Sequence, residues 1–195
     1  LMMARVMRGA GQSAEALAIY DELLLLDPDN VVIHHLRAAL SGERVPERAA
    51  DAYIERTFDE FSSSFEHMLT RLEYRAPELV RDVVATVCGA PSGRLAMLDL
   101  GCGTGWCGRE VKLWARTLTG VDLSDGMLGY ARRSGVYDRM HRAELTAFLE
   151  KARGRWDVIT IADTLCYFGA LEPVFQAATP RLSAKGVLVF TVEAM

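Results

Sequence analysis

The chain has 195 residues, 50% of them hydrophobic, and its 22 basic and 26 acidic side chains give a net charge of −4. That length fits one sizeable core with a short appendage, and mild acidity supplies no positive field to hold a nucleic-acid backbone. No apolar run approaches the roughly 20 residues that span a bilayer, so neither a nucleic-acid nor a membrane partner is expected.

The opening Leu1-Met2-Met3-Ala4-Arg5 lacks the apolar stretch of a secretory leader, and a first residue other than Met is expected of a trimmed amino terminus. Cys88, Cys102, Cys107 and Cys166 form no CxxC pair and no ligand spacing with His34, His35, His67 or His141. Neither structural zinc nor a disulfide framework is therefore expected, and a reducing cytoplasm is.

From Arg5 to about Leu40 the pattern is helical, with Ala14, Leu17, Ala18, Tyr20, Leu23 and Leu24 near i, i+3, i+4 spacing until Asp27-Pro28-Asp29-Asn30 breaks it. Ala16, Tyr20 and Pro28 are spaced like the second half of a tetratricopeptide repeat, although Leu23 stands where such repeats usually have a small residue. An ordinary helical hairpin gives the same pattern. Ser41 to Pro46 reads as a polar linker, which divides the chain into a helical segment, 1–45, and a second domain, 46–195.

The segment Ala50–Leu69 reads as a helix carrying Tyr53, Phe58, Phe61 and Phe65, either a core-facing stripe or a lid over a ligand. Pro77 opens a helix over Glu78–Val87 that stops at Gly89-Ala90-Pro91. Beyond it, strands are expected at Leu95–Leu100, Leu118–Leu123, Met140–Ala143, Trp156–Ala162 and Gly186–Val192. Helices are expected between them at Trp106–Trp114, Asp125–Arg133, Thr146–Ala152 and Pro173–Leu182. Apolar strands alternating with amphipathic helices imply a doubly wound α/β fold, a parallel sheet covered on both faces.

The stretch Leu98-Asp99-Leu100-Gly101-Cys102-Gly103-Thr104-Gly105 delivers an acid at a strand end and then three alternating glycines, which let the backbone turn sharply and let a ligand touch the main chain. The helix starting near Trp106 aims its amides at the same spot. Asp122, at the end of the next strand, is placed to accept hydrogen bonds from ribose hydroxyls. Gly103 to Gly108 also spells a literal GxGxxG, the mark of a nicotinamide or flavin site. Asp99 argues against that oxidoreductase reading, because a carboxylate would repel pyrophosphate and suits a ligand with a cationic amino group. The frame also starts two residues late.

The motif resembles the first motif of class I S-adenosylmethionine-dependent methyltransferases, and Asp122 in Gly120-Val121-Asp122-Leu123-Ser124 is similar to their ribose-binding acid. The resemblance implies S-adenosylmethionine as cofactor, with strand order 3-2-1-4-5. Met127 would cover the adenine, and Ala143-Glu144-Leu145 would approach its amino group, with Glu144 in place of the usual Asp. The cofactor-binding set is then Asp99, Gly101, Cys102, Gly103, Gly105, Asp122, Leu123, Met127, Ala143, Glu144, Leu145 and Asp163. Trp156–Asp163 resembles the fourth motif, whose strand end faces the reacting methyl, and makes Asp163 the candidate catalytic residue. Ala162-Asp163-Thr164-Leu165 lacks the Pro-Pro-Tyr signature of nucleobase amino methylation, so a small molecule or protein side chain is the expected acceptor.

The helical beginning suggests the subgroup of predicted methyltransferases with tetratricopeptide repeats, which implies a protein partner for those helices. The chain ends after the fifth strand, where the family continues into an antiparallel hairpin, leaving a non-catalytic cofactor-binding scaffold as a further alternative. Tyr167 and His67 are additional acceptor-side candidates, while Cys102 and Cys107 read as loop and packing residues. Arg132, Arg133, Arg139, His141 and Arg142 form either an anion patch or a solvated helix end.

Overall fold

The computed structural model describes residues 1–42 and 48–192. The chain forms two compact units, residues 1–57 and 58–195. In the first, three helices, α1 (Met2–Gly9), α2 (Ser13–Leu26) and α3 (Val31–Ser41), bury Ala4, Tyr20, Val32, Ile33 and Leu36 in one cluster. The expected single helix before Asp27 is two helices: Gly11 takes φ +77°, a left-handed conformation that ends α1, and the Gln12 amide closes onto the Met7 carbonyl. The Asn30 side chain accepts the Ile33 amide and starts α3. The expected linker begins later than read, since Ser41 still belongs to α3 and Gly42, at φ +70°, caps it. Residues 43–46, with the expected 45/46 boundary, lie outside the described residues.

The chain runs into the second unit through α4 (Asp51–Phe61), followed by α5 (Phe65–Arg71) and α6 (Ala76–Cys88). The aromatic segment is thus two helices rather than one. Ser62 and Ser64 hydroxyls donate to the Asp59 and Phe61 carbonyls and break the ladder between them. Five parallel strands follow, β1 (Leu95–Leu100), β2 (Ala115–Asp122), β3 (Arg139–Arg142), β4 (Trp156–Ile161) and β5 (Leu182–Phe190), in the order β3-β2-β1-β4-β5. Between them run α7 (Trp106–Val111), α8 (Asp125–Ser134), α9 (Leu145–Lys151) and α10 (Glu172–Ala178). Strands β2 and β5 begin three and four residues before their expected starts, because 3-10 turns at Lys112–Trp114 and Thr179–Arg181 end the preceding helices early. A further 3-10 turn, Leu165–Tyr167, was not expected.

Period-2 alternation sorts the strand side chains onto two faces. Leu98, Leu100, Val121, Ile159 and Ile161 meet α9 and α10 through Leu145, Leu149, Val174 and Ala178. Met97, Leu118, Val158 and Val189 meet α6 and α7 through Val80, Val84, Cys107 and Val111. Asp99 and Thr160 fall on this second face, where both are 1% exposed. The carboxyl ends of the strands are left to form the site.

Candidate functional site

The loop after β1 is built from left-handed glycines, with φ +69° at Gly101, +53° at Gly103 and +91° at Gly105. Gly101 and Cys102 amides donate to the Val121 carbonyl, at 2.8 and 3.0 Å, so the loop is stitched to β2 before it turns into α7. A Cβ on Gly101 would lie 2.1 Å from Thr164 Oγ1, whereas one on Gly103 would meet nothing within 4 Å. Gly103 therefore presents bare backbone to open space, a surface that a ligand can approach closely.

Asp122 closes β2. Its Oδ2 accepts the Gly103 amide at 2.8 Å and its Oδ1 the Ser124 amide at 2.9 Å. Burial pushes its carboxyl pKa up, against the pull of those amides. The Leu123 amide pulls on it as well, and a carboxylate's roughly four acceptor positions are not all taken by these three amides. Helix capping here belongs to Ser124, whose hydroxyl accepts the Met127 amide at 3.0 Å. Met127 itself is 1% exposed, beneath the start of α8.

Asp99 lies inside rather than on the surface of the site. Tyr137 Oη donates to its Oδ2 at 2.6 Å and Thr160 Oγ1 to its Oδ1 at 2.9 Å. Burial raises its pKa to about 6, with nearby Asp122 adding to the rise and the two hydroxyl donors opposing it. Cys102 and Cys107 thiols are pushed well above their usual range by burial, which makes them inert packing groups.

At the carboxyl end of β3, the Ala143 amide donates to the Asp122 carbonyl and Leu145 is buried. The Glu144 carboxylate caps α9, accepting the Thr146 and Ala147 amides at 3.0 and 2.8 Å, while the Leu123 carbonyl accepts from Arg142 Nε at 3.3 Å. Arg132 and Arg142 pair with Asp125, and Arg133 lies over the Tyr130 ring, so much of the basic cluster is committed internally.

At the end of β4, Asp163 holds φ +52°, rare for a residue with a Cβ, and its amide donates to Thr191 Oγ1 at 2.7 Å. The Tyr74 phenol lies against it: burial first, and then the Asp163 charge, drive the phenol pKa up. Tyr74 also packs edge-on against Trp106, ring centres 5.8 Å apart, and Phe58 does the same against Tyr167 at 5.6 Å. The strand end is therefore walled by aromatic rings. His67 is exposed on α5, where it lines a cavity of about 290 Å³ with Glu66, Thr104, Arg109 and Arg133.

Four contributors were not singled out in the sequence: Asp59, Glu66, Tyr74 and Tyr137. Asp59 Oδ1 accepts the Ser124 hydroxyl and the Gly126 amide, and Glu66 Oε1 accepts from Thr104 and Arg109. Asp59 and Glu66 stand beside Phe58 and Phe65 in the sequence, but any amphipathic helix interleaves charges with its apolar stripe, so periodicity alone does not single them out.

A family model described as a methyltransferase domain matches residues 97–186. The chain is 31% identical over 110 residues to human methyltransferase-like protein 27, covering 55% of this chain and 45% of that protein. It is 26% identical over 147 residues to the biotin biosynthesis bifunctional protein BioHC of Saccharophagus degradans, covering 73% and 26%. The chain thus spans less than half the length of either curated relative. Among solved structures, a DhpI complex with S-adenosylhomocysteine superposes with a TM-score of 0.59 at 20% identity, covering 72% of this chain and 67% of that one. The magnesium protoporphyrin IX methyltransferase ChlM of Synechocystis PCC 6803, with bound S-adenosylmethionine, gives 0.52 at 19% identity, covering 72% and 74%. Taken with the five-stranded order and the glycine-rich turn after β1, these likenesses identify the chain as having the Rossmann-like fold of class I S-adenosylmethionine-dependent methyltransferases.

Proposed function

We propose that this chain binds S-adenosylmethionine at the carboxyl edge of β1, β2 and β4 and transfers its methyl group to an acceptor. The observation that carries the reading is the Gly103–Asp122 pair: a glycine backbone open to ligand, held by a carboxylate with acceptor positions to spare at the end of the second strand. Those groups fit a nucleoside ribose beside a zwitterionic amino acid. The cofactor supplies a sulfonium-bound methyl carbon as the electrophile, so the chain needs no nucleophile of its own. Its task is to orient the acceptor and exclude water, which alone is worth up to about 7–11 kcal/mol.

In this reading Gly101, Cys102, Gly103 and Gly105 offer backbone to the amino acid half. Asp122 and Leu123 hold the ribose side. Met127, Ala143, Glu144 and Leu145 border the adenine. Asp163 faces the acceptor and takes up, at a carboxylate oxygen, the proton that a nitrogen or oxygen acceptor loses. The aromatic wall of Tyr74, Trp106, Phe58 and Tyr167 suits a small molecule or a protein side chain entering that edge. Asp99 serves the site from beneath. The oxidoreductase alternative has no observation in its favour, whereas the family model that matches is that of a methyltransferase domain.

The tetratricopeptide-like reading belongs to the pair α1 and α2, in which Ala16 and Tyr20 are fully buried, and with it goes a protein partner in the cytoplasm. No helix among the described residues is long and apolar enough to cross a membrane.

Thermal shift with S-adenosylhomocysteine against NAD tests the cofactor. At 100 times its dissociation constant the former is expected to add about 2.7 kcal/mol of stability. Equal or greater stabilisation by NAD overturns the assignment.

A further inference from the structure

Three glycines from separate elements share one neighbour. A Cβ on Gly108 of α7 would lie 2.4 Å from Tyr137 Oη, one on Gly120 of β2 2.9 Å from Tyr137 Cδ1, and one on Gly105 3.1 Å from Tyr137 Cε2. Gly105 also has a left-handed backbone, but Gly108 and Gly120 do not. At those two positions a side chain is excluded by space alone, and the space is filled by one phenol ring. Tyr137 precedes β3, and its ring packs in the cluster between the sheet and α7. The hydroxyl reaches Asp99 Oδ2 at 2.6 Å, while Thr160 of β4 holds Oδ1 at 2.9 Å. Asp99 is followed immediately by Leu100 and the glycine-rich loop, and Gly105 at the end of that loop is the N-cap of α7.

We infer that Tyr137 is a positioning residue for the cofactor. Its ring sets the height of the glycine-rich loop and the first turn of α7 above the sheet, and its hydroxyl fixes the Asp99 carboxylate beneath them. This rests on the cofactor reading given above. Tyr137 acts through Asp99 and the loop, and accounts for Gly108 and Gly120 together with Asp99, the acid that sequence alone turns toward the ligand. The other ionisable groups that act on Asp99 are Asp122 at the end of β2, Cys107 of α7, Cys102 of the loop and Tyr74 ahead of α6, all neutral or acidic. The two hydroxyl donors favour its ionised form most, with the Cys107 thiol adding a smaller pull in the same direction.

The test is calorimetric titration with S-adenosylhomocysteine from pH 5 to 8 on the wild-type chain, Tyr137→Phe and Gly108→Ala, with melting of each protein without ligand. Tyr137→Phe keeps the ring and loses only the hydroxyl. It is expected to weaken affinity about three- to tenfold at neutral pH, the range for one hydrogen bond to a charged group acting indirectly. Loss of a donor to the carboxylate also moves the acid limb of the affinity profile to higher pH. Gly108→Ala, which leaves Asp99 and Tyr137 intact but displaces the ring, is expected to reproduce the affinity loss. Affinity equal to wild type in either folded variant, or a loss in Tyr137→Phe with the acid limb unmoved, makes Tyr137 a filler of the core and overturns the inference. Absence of binding by the wild-type chain is a separate result, which overturns the cofactor reading itself.

Discussion

Glu66 on α5 accepts a hydrogen bond from Thr104, inside the glycine-rich turn, at 2.7 Å, and the same oxygen takes one from Arg109 at 2.8 Å. One carboxylate thereby ties the aromatic helical segment to the loop that we assign to the cofactor. Burial alone would raise its pKa, but the bonds from Thr104 and Arg109 and the Arg109 charge outweigh that and leave it lowered. Its folded pKa is therefore below the unfolded one, so its contribution to stability is present above the unfolded value and lost as pH falls through the folded one.

Glu66→Ala is expected to cost about 1 kcal/mol of stability at neutral pH, since the pair is partly solvent-exposed. The deficit relative to wild type should shrink as pH falls through the lowered folded pKa of Glu66, where the wild-type carboxyl becomes protonated as well. Urea denaturation of both proteins at several pH values checks this, and a deficit independent of pH would assign the effect to lost packing.

The buried Asp99 carries the opposite sign. With a folded pKa of about 6, above its ordinary value, it favours the folded state fully at low pH and progressively less as pH rises through about 6. Asp99→Asn abolishes this titration, so the variant should gain on wild type between pH 4 and 7 by an amount on the order of 3 kcal/mol. Carboxyl-carbon NMR of the wild-type protein should find one buried Asp with a midpoint near 6. A midpoint below 4 would contradict the burial described for Asp99, because the Tyr137 and Thr160 donors by themselves pull its pKa down.

Gly101 and Gly103 separate backbone strain from crowding. Both have left-handed φ, but a Cβ on Gly101 meets Thr164 at 2.1 Å and one on Gly103 meets nothing. Gly103→Ala should cost about 1–2 kcal/mol of stability, the price of left-handed backbone alone, and Gly101→Ala distinctly more. Equal melting temperatures for the two variants would mean that Thr164 moves aside freely.

The parallel sheet was legible in the mostly apolar runs of β1, β4 and β5 and the helices between strands, while β3, Arg139-Met140-His141-Arg142, has no apolar pattern, and the order of the strands came from the family resemblance. Helix ends were less legible. Gly11 sits in a pattern that reads through it, and Ser62 and Ser64 break the aromatic helix by hydroxyl bonds to backbone that periodicity does not register. The glycine-rich turn and Asp122 were legible since their chemistry is local to one strand–loop–strand unit. The state of Asp99 was not, because its partners Tyr137 and Thr160 arrive from 38 and 61 residues away. The cap that Glu144 places on α9 was missed for another reason: its partners, the Thr146 and Ala147 amides, are only two and three residues away, but Glu is outside the residue types that usually cap helix starts.

The assignment of the cofactor to the Asp122 end of β2 is tested most directly by calorimetric titration with S-adenosylhomocysteine into wild type and Asp122→Asn. Asn keeps the shape and one acceptor oxygen but loses the charge that two ribose hydroxyls would share, each such bond being worth about 1.5–3 kcal/mol before water is counted. One of the two backbone amides now held by the carboxylate also loses its acceptor, so ligand-free melting should fall slightly. The predicted result is measurable binding by the wild-type chain and affinity about tenfold or more weaker in the variant. Equal affinities, with only the ligand-free melting temperature lowered, would make Asp122 a fastener of the loop and contradict the account.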